Sequence, residues 1–229
     1  MEKQKKQDSI FRSIFKDKVR LLELCNAFVK TDYRDPDEIY IIDTDYAPEL
    51  RVRNEIAFII DNILFIIEHQ LDVDVNTPLR LFLYYGHILQ EITDGKLNAK
   101  FGKHALRIAA TAQLYVLYCG EKDYPKEGIL KISDLFIKHD NVDVHSGLIV
   151  NVPVLNINTG CNPKLERRSK ILAAYARFIA KARKYLVQVP IIDVDKDGKY
   201  DDVMKDYLVP NTKELMDMLD EEFKMEKES

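Results

Sequence analysis

Two glutamates, Glu55 and Glu68, lie at equal distances from the segment Asp61-Asn62, and the runs on either side are rich in residues that favour strands. If Asp61 and Asn62 form a two-residue hairpin loop, the glutamates face each other across it, with Cβ atoms about 4.5–5.5 Å apart. Like charges in that position are destabilising unless something neutralises them. Carboxylates with water suit Mg²⁺, so the spacing predicts a magnesium site.

The same pattern allows other interpretations. Strand ends reach solvent, so both glutamates could be ordinary surface residues, and Arg53 or His69 could neutralise them. A three-residue loop would shift the register and leave the two acids only diagonally related.

Two other motifs have simpler interpretations. The segment 193–198 imitates the start of an EF-hand loop, but Met204 stands where the ligand Glu belongs, so an Asp/Gly turn is the simpler interpretation. Cys119 has no evident His/Asp partner set, which argues against a nucleophilic role.

The elements that must position the two glutamates follow from hydrophobic periodicity. Helices are predicted over 8–29, with a second start at Asp17, and over 79–92 and 164–186. Strands are predicted over 39–42, 51–60, 63–70, 112–118 and 149–157. The two runs beside the loop are apolar on both faces, which is typical of a sheet covered on both sides. The order of elements predicts an α/β fold, a mixed central sheet flanked by helices.

Composition and charge narrow the classes of function. The 229 residues are 46% hydrophobic, which suits one domain with an appendage. We expect a core over 1–190 and an acidic, mainly helical tail over 191–229. The tail has 13 acidic and 6 basic residues, a net charge of −7, so residues 1–190 carry +3 of the total of −4. A mildly basic body keeps nucleic acid among the candidate partners.

Cysteine usage and hydropathy predict a cytoplasmic location. The three cysteines form no CxxC pair, which argues against a disulfide scaffold or a structural zinc site and suits a reducing compartment. The first residues are charged and have no apolar stretch behind them, so we expect no signal peptide. The most apolar run, 56–67, is interrupted by Asp61 and Asn62 and is too short to cross a bilayer. We therefore expect no membrane partner.

Several segments share a further property, a resemblance to one protein family. The string VRNEIAFIIDNILFIIEHQ at 52–70 resembles the bacterial recombination-promoting nuclease / putative transposase family (Rpn-like), which belongs to the PD-(D/E)XK nuclease superfamily. Shorter matches occur in the same order: DSIFR at 8–12, LLELCNA at 21–27, TPLR at 77–80, YVLYCG at 115–120, and LNINTG at 155–160 followed by Asn162. The resemblance covers about residues 8–187 and implies a restriction-endonuclease-like core.

The resemblance also implies roles for individual residues. Glu68 and Gln70 match a Glu-x-Gln motif, Glu55 matches the acid on the preceding strand, and Glu23 matches a helix acid that can assist metal binding. Glu23 could equally be an exposed helix carboxylate, and Asp61 at the turn is a weaker candidate than Glu55. The implied reaction is Mg²⁺-dependent hydrolysis of a DNA phosphodiester, with Mn²⁺ or Ca²⁺ as substitutes and a link to recombination or mobile DNA.

One departure from the family pattern affects that expectation. The family usually has Asp where this chain has Glu55, which moves the carboxylate by about one methylene, and Mg²⁺ geometry is strict. Gln70 is the usual residue of the family at its position, and it can orient a water but lacks the charge of a lysine. Glu55, together with a tail that does not resemble the usual C-terminal region of the family, favours a rival interpretation, a weak or inactive relative that binds DNA or a protein. A purely structural interaction protein is a third option, and a homodimer stays open.

Basic residues predict where DNA would bind, because each phosphate contact needs a cation. The helix predicted at 164–186 is strongly basic, and Arg80 follows Gln70 closely enough to lie near the same site. The basic cluster at 96–107 is better explained as a solvated face. The candidate DNA-binding residues are Arg80, Arg167, Lys170, Arg177, Lys181 and Lys184.

Overall fold

The computed structural model of the protein describes residues 10–42, 55–93, 111–137, 146–182, 186–194, 200–208, 217, 220–222 and 224. The main sheet has six strands in the order β1-β2-β3-β4-β6-β5. These are β1 (Tyr40–Ile42), β2 (Glu55–Ile60), β3 (Ile63–Gln70), β4 (Ala112–Tyr118), β5 (Glu127–Lys131) and β6 (Asn151–Asn156). β3, β4 and β6 run parallel, and the other neighbouring pairs are antiparallel. The predicted α/β fold with a mixed sheet is confirmed.

Five helices accompany this sheet in the described part of the chain: α1 (Ile10–Phe15), α2 (Lys18–Val29), α3 (Thr77–Thr93), α4 (Pro163–Arg168) and α5 (Lys170–Ala182). The predicted second start is confirmed, because the Asp17 side chain caps α2 by accepting hydrogen bonds from two backbone N–H groups. The helix predicted over 164–186 is instead two helices. Ser169 between them has extended backbone angles, which interrupts the helical hydrogen bonds.

The hairpin between β2 and β3 has the predicted two-residue loop. Asp61 and Asn62 have φ angles of 47° and 62°, a left-handed pair that suits the twist of the flanking strands. Ile60 therefore pairs with Ile63, and the register continues to Glu55 opposite Glu68. The alternative of a three-residue loop is excluded.

The sheet divides the apolar core into two layers. Alternate β3 residues such as Phe65 and Ile67 pack against the helices α1, α2, α4 and α5, whereas Leu64 and Ile66 pack against α3. All four side chains are fully buried. Burial on both faces explains why this strand is a nearly continuous apolar run in the sequence.

The tail differs from the expected mainly helical segment. Strands β7 (Leu186–Val194) and β8 (Tyr200–Leu208) form an antiparallel pair that crosses the expected boundary at 190. In the described part of the tail, only residues 217, 220–222 and 224 are helical. The physical reason is composition, because Val and Ile alternate or adjoin along β7 and favour extended backbone. β5 was also not predicted, because a run of only five residues that includes Gly128 shows little periodicity.

Candidate functional site

The carboxyl end of β3 brings the central candidate residues together. Glu68 and Gln70 are two positions apart on one strand, so their side chains leave the same face, the one that α3 covers. The register pairs Glu55 with Glu68, as predicted, and the side chain of Glu55 lies outside the described part of the structure. The strand end is fixed against β4 because the Cys119 N–H donates to the Gln70 carbonyl over 3.0 Å.

Gly120 permits this close approach of β3 and β4. A Cβ atom at position 120 would lie only 1.7 Å from the backbone carbonyl oxygen of Leu71, which no side chain could tolerate. Glycine at position 120 thus allows the chain after β4 to lie against the backbone of Leu71, the residue that follows β3. The position of Gln70, the last residue of β3, depends on this close contact.

The two carboxylate oxygens of Glu68 have different environments. Oε1 accepts hydrogen bonds from Gln70 Nε2 at 2.8 Å and from Arg80 Nη2 at 2.5 Å. Oε2 is buried and has no hydrogen-bond partner among the described residues. Glu68 as a whole is only 6% exposed. A buried oxygen without a partner is costly in a folded protein, so its presence calls for an explanation such as an unseen ion.

The polar groups around Glu68 come from the start of α3. Thr77 is fully buried, and its Oγ1 lies 2.7 Å from Gln70 Nε2 and 3.1 Å from Arg80 Nη2. Asp74 also binds the Arg80 guanidinium, and its backbone N–H lies 3.4 Å from Gln70 Oε1. Sequence reasoning assigned no role to Thr77 or Asp74. The usable signal was local, since Asp and Asn residues directly before a helix are typical of its N-terminus, and the Asn76 N–H donates to Asp74 Oδ1.

Arg80 supplies the positive charge in this network. The sequence left open whether Arg53 or His69 would neutralise Glu68. Arg53 lies outside the described residues, and Arg80 contacts Glu68. Burial lowers the pKa of Arg80, but the charges of Glu68 and Asp74 outweigh it and raise that pKa above its usual value. Burial raises the pKa of Asp74, yet the Asn76 backbone N–H and Arg80 hold it below its usual range.

The opposite face of the same strand end carries a second polar cluster. His69 Nε2 lies 2.7 Å from Cys119 Sγ and 3.1 Å from the Tyr175 hydroxyl, and Phe11 stacks on the imidazole with ring centroids 5.1 Å apart. Burial lowers the pKa of His69 to about 4, so the ring is neutral at neutral pH. The sequence did not link Cys119 to a histidine. Both side chains are buried, so this contact serves packing rather than nucleophilic chemistry.

The structure does not bring Glu23 to Glu68. Glu23 Oε1 accepts hydrogen bonds from the Ser169 hydroxyl and from the Ile171 N–H, both at 2.9 Å. Its carboxylate therefore caps the first turn of α5, on the other side of the sheet from α3. The contact was not predicted because the two partners are far apart in the sequence. Asp61 lies at the turn, where its Oδ2 accepts a hydrogen bond from the Tyr33 hydroxyl.

The candidate DNA-binding residues occupy different environments. Arg167 and Lys170 are exposed at the junction of α4 and α5. Arg177 donates to Glu222 over 2.8 Å, and Lys181 contacts the same carboxylate, so a tail residue partly neutralises both cations. Lys184, which was predicted to bind DNA, and the basic cluster at 96–107 lie outside the described residues.

The comparisons with known proteins identify no relative. No family model matches the chain, and neither a curated protein nor a solved structure matches it. Among the described residues, no three His, Cys, Asp or Glu side chains are grouped so that they could hold a metal ion. None of the helices in that part of the chain combines the length and apolar character needed to cross a membrane.

Proposed function

We propose that the protein is a metal-dependent DNA endonuclease in which Glu55 and Glu68 bind the cation. The observation that carries the proposal is the buried Glu68 Oε2 without a partner, on a strand whose register places Glu55 opposite. A carboxylate with one anchored oxygen and one available oxygen suits a metal ligand, because its other contacts fix its orientation. The mixed sheet with helices on both faces is compatible with a PD-(D/E)XK-type core.

The donor set fits a hard divalent cation. Carboxylate oxygens are ligands that Mg²⁺ prefers, and Mn²⁺ or Ca²⁺ would accept the same oxygens. When bound, such a cation would polarise a scissile phosphate and lower the pKa of a bound water. Glu68 would offer Oε2, and residue 55 would add the second carboxylate.

The neighbouring residues would act as positioning groups. Both N–H donors of Gln70 are directed at Glu68 and Thr77, so in this arrangement its amide orients the carboxylate instead of a water. Arg80 offsets only part of the negative charge of Glu68 and Asp74, and its partly exposed guanidinium supports a role as a phosphate contact. Arg167 and Lys170 remain candidates for more distant phosphates, because both are exposed.

A plasmid-nicking assay tests the proposal directly. We expect cleavage with Mg²⁺ or Mn²⁺, none with EDTA, and a loss of at least about 100-fold in Glu68→Gln. Glu38→Gln is the matched control, because it removes the same charge from an exposed glutamate outside the network. The proposal fails if no cation supports cleavage, or if Glu68→Gln and Glu38→Gln cleave equally well.

One observation favours a second candidate, a relative that binds DNA or a protein partner without cleaving. Arg80 already contacts Glu68, so this carboxylate has a positively charged partner without a bound cation. Glu55 also favours the second candidate, because it stands where the family that the sequence resembles usually has Asp. Titration calorimetry with Mn²⁺ separates the two candidates, since the second predicts no cation binding that depends on Glu68. If DNA binding persists without cleavage, Glu55→Asp is the next variant to assay.

A further inference from the structure

The outer edge of β5 is the most distinctive surface outside the candidate site. β5 is the last strand of the sheet, and no described strand pairs with its outer side. Its exposure alternates, with Glu127, Ile129 and Lys131 exposed and the two residues between them half-buried. Leu130 packs against the core layer beneath α3, so the three exposed side chains lie on the opposite face of the sheet.

The backbone pairing with β6 determines which groups face outwards. The Asn156 N–H donates to the Lys126 carbonyl and the Ile132 N–H donates to the Val150 carbonyl, both over 3.0 Å. Bonded pairs alternate along an antiparallel ladder, so the even-numbered residues of β5 bond to β6. The N–H and C=O groups of Glu127 and Ile129 consequently point to the outer edge, as does the N–H of Lys131, whose carbonyl accepts the first hydrogen bond of the 3-10 turn Ile132–Leu135. Pro153 agrees with this assignment, because it opposes Ile129, where β5 needs no donor.

We propose that this edge pairs with β5 of a second copy of the chain, antiparallel and centred on Ile129. In that register the outward-facing residues become bonded pairs: Ile129 with the same residue of the second copy, and Glu127 with Lys131 at both ends. The central Ile129 pair exchanges two backbone hydrogen bonds, and in each outer pair the Lys131 N–H donates to the Glu127 carbonyl. The strand E-G-I-L-K is thus complementary to itself in charge under a two-fold rotation.

Other features of the edge support a second copy as the occupant. Shifting the register by two residues in either direction would place Glu127 or Lys131 opposite Ile129 and lose both charge pairs. The ion contact of Glu127 within its own chain is weak, since Lys126 Nζ lies 4.0 Å away and both side chains are about half exposed. The β5–β6 region also exposes apolar side chains at Ile129, Phe136 and Ile149.

Sedimentation velocity of the full chain over a concentration series tests the pairing. We expect a reversible dimer, with a dissociation constant that rises about tenfold or more in Glu127→Lys and in Lys131→Glu, because each change opposes like charges twice. The double variant Glu127→Lys/Lys131→Glu should regain wild-type association. Asp123→Lys is the matched control, since it makes the same charge change at an exposed residue before β5.

Three results would overturn the inference: a monomer at every concentration, a dimer insensitive to both single changes, or single defects that the double variant does not repair. A crosslinking measurement covers the case in which a charge variant fails to fold. Ile129→Cys in a Cys161→Ser background should form an intermolecular disulfide on mild oxidation, because bonded pairs hold Cα atoms about 5.5 Å apart. Asp123→Cys should not, and equal crosslinking of both would contradict the register.

Discussion

The two faces of one strand end have opposite characters. Glu68 and Gln70 face α3 within a network of charges and leave one carboxylate oxygen without a partner in the described structure. His69, between them, faces the other helices and is enclosed by Phe11 and Tyr175. The comparison teaches that adjacent residues can differ in role: the first face holds a charged network with a carboxylate oxygen unpartnered among the described residues, whereas the second anchors the strand.

The largest expected effect comes from removing the anchor. His69→Ala should lower the free energy of unfolding by about 2–4 kcal/mol, because it leaves a cavity and removes the contacts to Cys119 and Tyr175. Urea denaturation followed by circular dichroism measures this loss. His87→Ala, on a half-buried position of α3, is the control and should change stability much less. Equal losses of unfolding free energy in the two variants would contradict the anchoring role of the His69 face.

The next effect concerns activity on the α3 face. Thr77→Val keeps the side-chain shape but removes the hydroxyl near Gln70 and Arg80, so metal-dependent cleavage should fall by about 10–100-fold. Thr77→Ser retains the hydroxyl and should cleave within a few-fold of the wild type. The measurement is the nicking rate at a temperature where all three proteins are folded. Wild-type cleavage by Thr77→Val would show that the hydroxyl does not position the site.

A smaller effect distinguishes the two roles of Glu23. As the cap of α5, Glu23 should contribute about 1 kcal/mol to stability and nothing to cleavage. Glu23→Ala should therefore lower the urea midpoint while the nicking rate at saturating Mn²⁺ stays the same. A large loss of cleavage at unchanged stability would instead support the metal-binding role that the family resemblance implies for Glu23.

The last effect appears only at alkaline pH, at Cys25 in the core layer that packs against α1, α2, α4 and α5. Burial raises the pKa of Cys25 to about 12, whereas an unfolded chain ionises its thiol near the ordinary value. The raised pKa means that stability is complete below the unfolded value and is lost as pH rises towards the folded one. Between pH 8 and pH 10 the loss should be about 1–2 kcal/mol. Cys25→Ala should reduce this pH dependence, and an unchanged slope would contradict the assignment.

Sequence reasoning succeeded where the determinants were local. The turn at Asp61-Asn62 and the strands beside it fixed the opposition of Glu55 and Glu68 without knowledge of the rest of the fold. The helix cap at Asp17 could likewise be predicted from the sequence. Such features depend on neighbouring residues, whose side chains and backbone angles are constrained by short-range sterics and hydrogen bonds.

Sequence reasoning failed where partners meet through the fold. The contact of Glu23 with Ser169, and that of His69 with Cys119, join residues 146 and 50 positions apart. No periodicity reports such a pair, because the contact depends on how helices and strands cross. The pairing of β7 with β8 was also not predicted, although the Val and Ile residues of β7 favour a strand.

The two-residue turn has a consequence for how this sequence can vary over time. One residue inserted at Asp61-Asn62 would move every side chain of one strand to the opposite face, in a hairpin whose described core is apolar on both sides. The length of this hairpin is therefore under stronger constraint than its composition. Distant homologues that have lost most identities should still preserve the spacing between the two glutamates, and that fixed spacing offers a way to find them.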